Sequence, residues 1–395
     1  MIDIRCSKKI LINYKYINRV TDMTYHLFNS AMSHLNPNIL SGIFDNVEFT
    51  NKNGKNDIFI ILKVPKKMIF GSKDFEISKY YKLFKKYEFN SYAIIENDFH
   101  LLKHIWAIKP GLNKLIIHSN FSLFNVAPFF PLMLIFRGKK FLKSVVKVEW
   151  GVKPILETKT IIKRLKFLIE KMAYTNFGSV VNLTEKDAII TKRKFPAANT
   201  IVVGYLLSYP NYAEFRYTKA EEGLACKIMI SHSGHVHNNH FKSFELLAKF
   251  KNEDIQIICP LCYGNQNYIK EVIEKGKKIF GKKFNYFTKL KPLDEYVHLI
   301  CNQHIYISAA NIQTGLFAAS TALANGLKLY LGDNLFDHFN KMGFILGEID
   351  NLEEISFNNF ELPLTYDEFN HNKSLSSSSD LKNLKIQIWK QLYEI

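Results

Sequence analysis

The stretch from His304 to Asp333, HIYISAANIQTGLFAASTALANGLKLYLGD, constrains the chain more than any other. Ile305, Tyr306 and Ile307 are β-formers in a short apolar run, and Asn311 to Thr314 carry turn and cap chemistry. Gly315 to Asn325 is small and apolar, as suits a helix packed closely on a sheet. Asn325-Gly326 ends that helix, and Lys328 to Leu331 reads as the next strand. The segment is therefore predicted to be a βαβ unit. Its helix N-terminus would present free backbone N–H groups and a positive dipole end above the sheet edge. Gln313, Thr314 and Gly315 fall there, where a phosphate would be held. A structural turn with no ligand is the competing reading, because N-caps of this composition are common.

Strands alternate with helices on both sides of a polar, aromatic stretch, Ser208 to Lys219, that reads as a linker. Before it, Lys114 to His118, Ser144 to Glu149, Gly178 to Leu183 and Asn199 to Val203 are predicted strands. A basic amphipathic helix is expected over Thr158 to Tyr174, and Thr184 should cap the next one. The opening residues are less regular. Ile10 to Asn13 and Ile58 to Val64 look like strands, Asn51 to Lys55 like a turn, Asp74 to Lys86 like a helix and Tyr92 to Ile95 like a short strand.

After the linker the strands are Cys226 to Ile230, Ile255 to Cys259 and Phe284 to Phe287, followed by the central unit. Asn238 or Asn239 is expected to cap a helix through Phe250, and Asp294 a helix through Asn302. This pattern predicts an α/β chain of two Rossmann-like domains, 1–207 and 208–375. A helix in 376–395, behind a flexible serine patch, would pack back on the first domain. In parallel sheets ligands bind at the carboxyl ends of strands, which puts His118, Ser119, Asn120, Glu149 and Trp150 on a functional rim.

A formal net charge of +17 over 395 residues implies attraction to polyanions. No zinc knuckle, aromatic RNA-binding motif or helix-turn-helix pattern accompanies it, so nucleic acid is not the expected partner. No apolar run is long enough to span a membrane, and MIDIRCSKKI lacks the apolar core of a signal peptide, so a cytoplasmic protein is expected. Five cysteines in such a chain do not suggest a disulfide scaffold. An anionic membrane surface fits the charge better. The apolar stretch Asn125 to Phe136 runs straight into Arg137, Lys139, Lys140 and Lys143. The helix from Lys159 to Lys171 sets Lys159, Lys163, Arg164, Lys166 and Lys171 around Ile161, Ile162, Leu165, Leu168 and Ile169. Buried helices with solvated basic faces would give the same pattern.

The loop after Ile230, SHSGHVHNNH, is polar and contains glycine, so backbone N–H groups there could meet a ligand. Its histidines, His232, His235, His237 and His240, suit hydrogen bonding to a substrate better than a zinc site. Cys259-x-x-Cys262 and Cys301-x-x-His304 have ligand-like spacing, but cysteine at the end of an apolar strand or a helix is ordinary core filling. No metal and no cofactor is expected.

The segments ISHSGHVHNNHF, CPLCYGNQNYIKEV and LKPLDEYVHLICNQHIYISAANIQTGLFAASTALANGLKLYL resemble the C-terminal half of the bacterial 4-acetamido-4,6-dideoxygalactose (Fuc4NAc) transferases, glycosyltransferase family 56. The likeness covers about Lys227 to Phe336 well, and Lys114 to Thr184 more weakly through IHSNF and VEWG. That family tends to carry an aspartate after its Trp-Gly, where this chain has Val152 and Lys153. The resemblance implies a GT-B architecture, two Rossmann-like domains facing a central cleft.

The resemblance also implies a metal-independent transfer of a sugar, such as an amino-deoxy sugar. The donor would be a dTDP- or UDP-sugar and the acceptor a lipid-linked or envelope glycan. Work at the inner face of the cytoplasmic membrane follows from it. Ser231, Ser233 and Gly234 would hold the diphosphate with Gln313, Thr314 and Gly315. Tyr263 and Gly264 would lie near the sugar or phosphate, and the loop around Leu290 would receive the base. Asn120, Trp150, Arg137, Lys139 and Lys140 would face the acceptor or membrane. Glu149 and His118 are the candidates for a general base. A non-catalytic nucleotide-sugar-binding protein and a basic membrane-surface binder are the alternatives.

Overall fold

The computed structural model describes residues 11–14, 24–29, 43, 44, 47, 57–62, 85, 86, 91–95, 98–119, 122–126, 129–151, 160–205 and 225–394. The turn expected at 51–55, most of the helix expected at 74–86, Asn120 and the expected linker 208–219 lie outside them. The chain divides into two compact units. One comprises Met1–Leu207 with Lys382–Ile395, the other Ser208–Leu381.

Among the described residues the first unit has eight strands: β1 (Leu11–Tyr14), β2 (Thr24–Asn29), β3 (Ile58–Leu62), β4 (Ser91–Ile95), β5 (Lys114–Ser119), β6 (Val145–Glu149), β7 (Ser179–Asn182) and β8 (Thr200–Val202). They lie in the order β1-β4-β3-β2-β5-β6-β7-β8, all parallel except the edge pair β1–β4. The order reverses between β2 and β5, and that reversal is where such sheets bind ligands. The pleat gives each face its own packing. Tyr25, Leu27, Leu115, Ile117 and Val145 join Leu101, Ile105, Leu134, Phe141 and Tyr174 in one buried cluster. The register of β2 with β5 turns His26, Phe28, Ile116 and His118 to the other face. The helix Ser379–Glu394 belongs with this unit from Lys382 onward. Its Trp389 is fully buried, stacks on Tyr205 at 5.5 Å and donates its indole N–H to the Gly204 carbonyl at 3.0 Å. The Lys114 ammonium reaches the Leu392 carbonyl from β5.

The second unit carries β9 (Cys226–Ile230), β10 (Ile255–Pro260), β11 (Phe284–Phe287), β12 (Ile305–Ser308), β13 (Lys328–Leu331) and β14 (Gly347–Glu348). Their order, β11-β10-β9-β12-β13-β14, is parallel throughout. Counted along the chain it is the doubly wound order 3-2-1-4-5-6, with the reversal between β9 and β12. β9 and β12 are buried apolar strands, as central parallel strands must be. The helix Leu316–Ala324 follows β12, and its buried Ala318, Ala319, Ala322 and Ala324 let it pack closely beside the sheet.

Local capping follows the sequence in places and departs from it in others. Thr184 accepts the Asp187 N–H, and Thr365 with Glu368 forms a reciprocal capping box. At Asn239 the expected side-chain cap is replaced by a left-handed turn, φ 49°, with no side-chain bond. The Asn238 amide instead closes the preceding loop onto Ser233. The helix Leu293–Cys301 begins ahead of Asp294, which sits in its first turn.

Candidate active site

The reversal point of the second unit collects the loops that leave β9 and β12. Ser231 takes a left-handed φ of 58°, and its N–H bonds the Ile307 carbonyl at 2.8 Å, tying the two strand ends together. The β9 loop then meets the β10 loop. Gly234 donates to the Tyr263 carbonyl at 2.7 Å and accepts from the Asn265 N–H at 3.1 Å. Gly234 and Gly264 face each other as an isolated parallel bridge. A Cβ on Gly264 would collide with the Gly234 carbonyl group, and one on Gly234 would collide with Ile269. Only glycine fits this close passage of two backbones.

His232 links the β9 loop to the β12 loop. Its Nε2 lies 3.2 Å from Ser233 Oγ and 3.2 Å from Thr314 Oγ1. Gly315, φ +74°, begins the helix Leu316–Ala324, and a Cβ there would stand 2.5 Å from His232 Nδ1. Gln313 is buried, and its side-chain carbonyl has no hydrogen bond among the described residues. Tyr263 stands over the same corner, with its ring 5.8 Å from that of His235. The Cys262 thiol bonds the Lys289 carbonyl at 3.1 Å, which draws the loop carrying exposed Leu290 toward the β10 loop. Ser231, Ser233, Gly234, Tyr263, Gly264, Gln313, Thr314 and Gly315 thus converge on one corner, and Leu290 lies to its side, beyond the β10 loop.

One of the loop histidines and two residues of the ligand-like spacings are taken up by the fold. His240 is buried under Tyr268, whose hydroxyl is 3.3 Å from its Nδ1, and burial pushes its pKa down to about 3. His304 Nδ1 accepts the Lys227 N–H at 3.1 Å. Cys259 is fully buried within β10, and burial drives its thiol pKa upward. Among the described residues no three His, Cys, Asp or Glu side chains are grouped to hold a metal.

In the first unit the two candidate bases do not share a site. β5 and β6 run in register with His118 opposite Val148 and Ser119 opposite Glu149. His118 and Glu149 therefore project from opposite faces of the sheet. His118 is 1% exposed, not open on the rim, because β5 is a central strand covered on that face. Its Nε2 lies 3.2 Å from His26 Nδ1, and its Nδ1 lies 2.6 Å from the Tyr205 hydroxyl. His26 Nε2 continues to Asp57 at 3.1 Å, and the Trp150 indole donates to Tyr205 at 2.9 Å. Both His118 nitrogens are engaged, so neither has a lone pair free for an acceptor. Burial, then the charges of His26 and Lys147, hold its pKa well below 6.5.

Glu149 is held on the opposite face. Its Oε1 accepts from the Tyr174 hydroxyl and pairs with the Lys147 ammonium at 3.1 Å. Lys147 is fully buried, also donates to the Val148 carbonyl, and has its pKa lowered by burial against the opposing pull of Glu149. Glu149 Oε2 has no hydrogen bond among the described residues. Nearby, Glu170 accepts from Ser122 Oγ and from the Leu123 N–H, and burial raises its pKa.

The basic residues expected to face the acceptor or membrane come before β6 in the chain. Arg137, Lys139 and Lys140 precede β6, so they sit at the amino ends of the strands, opposite the edge where Glu149 and Trp150 emerge. Arg137 donates to the carbonyls of Trp106 and Ile108, and its guanidinium lies 5.0 Å from the Trp106 ring centre. It is a strut of the fold.

His26, Asp57, Lys147, Tyr174 and Tyr205 were not singled out from the sequence. β2, which carries His26, has no strong turn signals around it. One signal was readable: Lys147 and Glu149 alternate within an apolar strand, which forces two charges into one buried face.

The family model described as 4-alpha-L-fucosyltransferase glycosyl transferase group 56 matches residues 23–317. The chain belongs to glycosyltransferase group 56. No curated protein matches it. Solved structures share the fold at low identity. A trehalose-6-phosphate synthase structure from E. coli, bound with UDP-2-fluoro glucose, matches with TM-score 0.60 and 10% identity over 94% of this chain and 99% of that one. The N-terminal domain of the Candida albicans trehalose-6-phosphate phosphatase matches with TM-score 0.62 and 8% identity over 97% and 99%. A glycosyltransferase from Rickettsia africae matches with TM-score 0.52 and 13% identity over 95% and 94%. This group 56 chain is a glycosyltransferase of the GT-B fold.

Proposed function

We propose that this group 56 enzyme transfers a sugar from a nucleoside-diphosphate donor to a lipid-linked or cell-envelope glycan, without a metal. The observation that carries the reading is the corner between β9 and β12. Two glycine-dependent loops and a helix N-terminus converge there around His232 and the unpaired carbonyl of Gln313. A departing diphosphate gathers negative charge on its oxygens. Backbone N–H groups and the positive end of a helix stabilise that charge without reorganising during the reaction. Ser231, Ser233, Gly234, Thr314 and Gly315 form the phosphate cradle in this reading. Tyr263 and Gly264 flank the sugar, and the Leu290 loop meets the base. The trehalose-6-phosphate synthase structure bound with UDP-2-fluoro glucose supports a nucleotide-sugar donor, and dTDP- and UDP-sugars are the first to test.

Glu149 is the base of choice over His118, because its Oε2 has no hydrogen bond among the described residues while both His118 nitrogens are engaged. Trp150, which follows it in the chain, faces the acceptor in this reading, and Asn120 is assigned to the acceptor from the sequence. The enzyme works from the cytoplasm at the inner membrane face. Among the described residues no helix is long and apolar enough to cross a membrane.

The test is thermal stabilisation of the whole chain by dTDP, UDP, GDP and CMP forms, with and without magnesium. A ligand at about 100 times its Kd adds roughly 2.7 kcal/mol. One nucleotide class should raise the melting temperature without magnesium, and Gln313→Ala should lose the shift. No shift with any nucleotide would sink the phosphate-cradle reading.

A further inference from the structure

The helix Ile161–Asn176 has two apolar faces. One is the ordinary one: Ala173 and Tyr174 are buried in the core of the first unit, with Phe167 packed against it. The other looks outward. Ile161, Leu165, Leu168 and Met172 recur at spacings of four, three and four, which is a single stripe along a helix. With Ile162 beside them, these side chains are 54% to 84% exposed. A surface helix of a soluble protein normally places charge there.

Charge instead flanks the stripe. Lys163, Arg164, Lys166 and Lys171 all lie on the exposed part of the helix. Its one carboxylate, Glu170, is turned inward onto Ser122 and the Leu123 N–H. The outward surface is therefore apolar and cationic, with no acid of the helix on it. That chemistry fits a lipid monolayer with anionic headgroups better than a second protein surface, which would need acids to answer the cations. The helix is about 24 Å long at about 1.5 Å per residue and lies in the headgroup plane rather than crossing.

The position of the helix gives the stripe a purpose. The helix joins β6 to β7, so its N-terminus, where Ile161 and Ile162 are most exposed, rises from the same sheet edge as Glu149 and Trp150.

We propose that the Ile161–Met172 stripe is a membrane seat, in which Ile161, Ile162, Leu165 and Leu168 enter the acyl boundary and Lys163, Arg164 and Lys171 contact anionic headgroups. It brings the acceptor edge of the first unit down to the lipid surface. The proposal rests on the lipid-linked acceptor reading and names the surface that reading requires.

Vesicle flotation tests it, with the whole chain and two vesicle compositions: phosphatidylcholine alone, and equal parts phosphatidylcholine and phosphatidylglycerol. The chain should float with the anionic vesicles and far less with the neutral ones. Leu165→Ser with Leu168→Ser should weaken partitioning about tenfold or more, since two leucines leave the acyl boundary. Lys163→Glu with Lys171→Glu should abolish it. All these positions are exposed, so each variant should keep the wild-type melting temperature and nucleotide-induced shift. Retained flotation in the leucine variant overturns the seat, and so does absence of flotation by the parent chain. A concentration-dependent dimer dissolved by Leu165→Ser, without flotation, also overturns it and assigns the stripe to a second copy. A lost nucleotide shift in the parent chain strikes the donor reading alone, because flotation is measured without nucleotide.

Discussion

The Nδ1 of His118 lies 2.6 Å from the phenolic oxygen of Tyr205. That one contact orients a chain of five side chains. An indole N–H can only donate and a carboxylate can only accept. Trp150 donates to Tyr205 at one end, Asp57 accepts from His26 at the other, and His118 joins the two halves. Tyr205→Phe removes the central hydroxyl and leaves His118 Nδ1 and the Trp150 N–H unpaired. The buried orphan on His118 costs about 1–3 kcal/mol, and the half-buried Trp150 N–H costs less. Thermal denaturation should show a loss of several degrees at about 2–4 °C per kcal/mol, with nucleotide binding intact. An unchanged melting temperature would show that the contact contributes nothing.

Acid should destabilise both units. His118 and His240 have folded pKa values below the ordinary 6.5, the latter about 3. Between the two values the unfolded chain binds more protons, so stability rises with pH there. Their contribution is complete above the unfolded value. The His240 part is lost as pH falls from about 6.5 toward about 3, and the His118 part as pH falls below its unfolded value. Denaturant titrations along this range should give falling midpoints, and His240→Phe should flatten the part due to His240. A slope of opposite sign would contradict the buried neutral histidines.

Glu149→Gln separates chemistry from support. Loss of a general base lowers kcat by about 100- to 10,000-fold, with KM little changed. The same change removes the carboxylate paired with the buried Lys147, leaving the charge of Glu170 acting on it, and breaking such a pair costs about 3–5 kcal/mol. Lys147→Met with Glu149→Gln should recover much of the melting temperature and none of the activity. Recovery of both would make Glu149 a structural partner only.

Gly315→Ala tests the donor corner without large bulk. The new Cβ would sit 2.5 Å from His232 Nδ1, at a φ of +74° that costs an L-residue about 1–2 kcal/mol. Calorimetric titration should show nucleotide affinity falling by more than tenfold, while the ligand-free protein remains folded. Unaltered affinity would move the phosphate site away from this turn.

The second unit was largely legible in the sequence. Its strands are short apolar runs, and Pro260 at the end of β10, Gly332 after β13 and Asn325-Gly326 after the helix mark boundaries that need no tertiary knowledge. The first unit was less so. His118 ends a run of β-formers and therefore reads as a rim residue. What covers it is Tyr205, 87 residues later, and His26, 92 residues earlier. Long-range parallel pairing leaves no local trace of such neighbours. The helix Ile161–Asn176 shows the same limit. Periodicity revealed an apolar face, but Ile161 and Tyr174 are both apolar, and only packing decides which one meets the core.

The helix Ser379–Glu394 makes the first unit discontinuous in the chain. Trp389 and Leu392, both fully buried, seal a unit whose other residues are made before Leu207. During synthesis the second unit, contiguous from Ser208 to Leu381, can complete its sheet while the first still waits for this helix. The half that begins emerging first is thus the half that matures last. Nascent chains arrested before Trp389 should carry a protease-resistant second unit and a protease-sensitive first one.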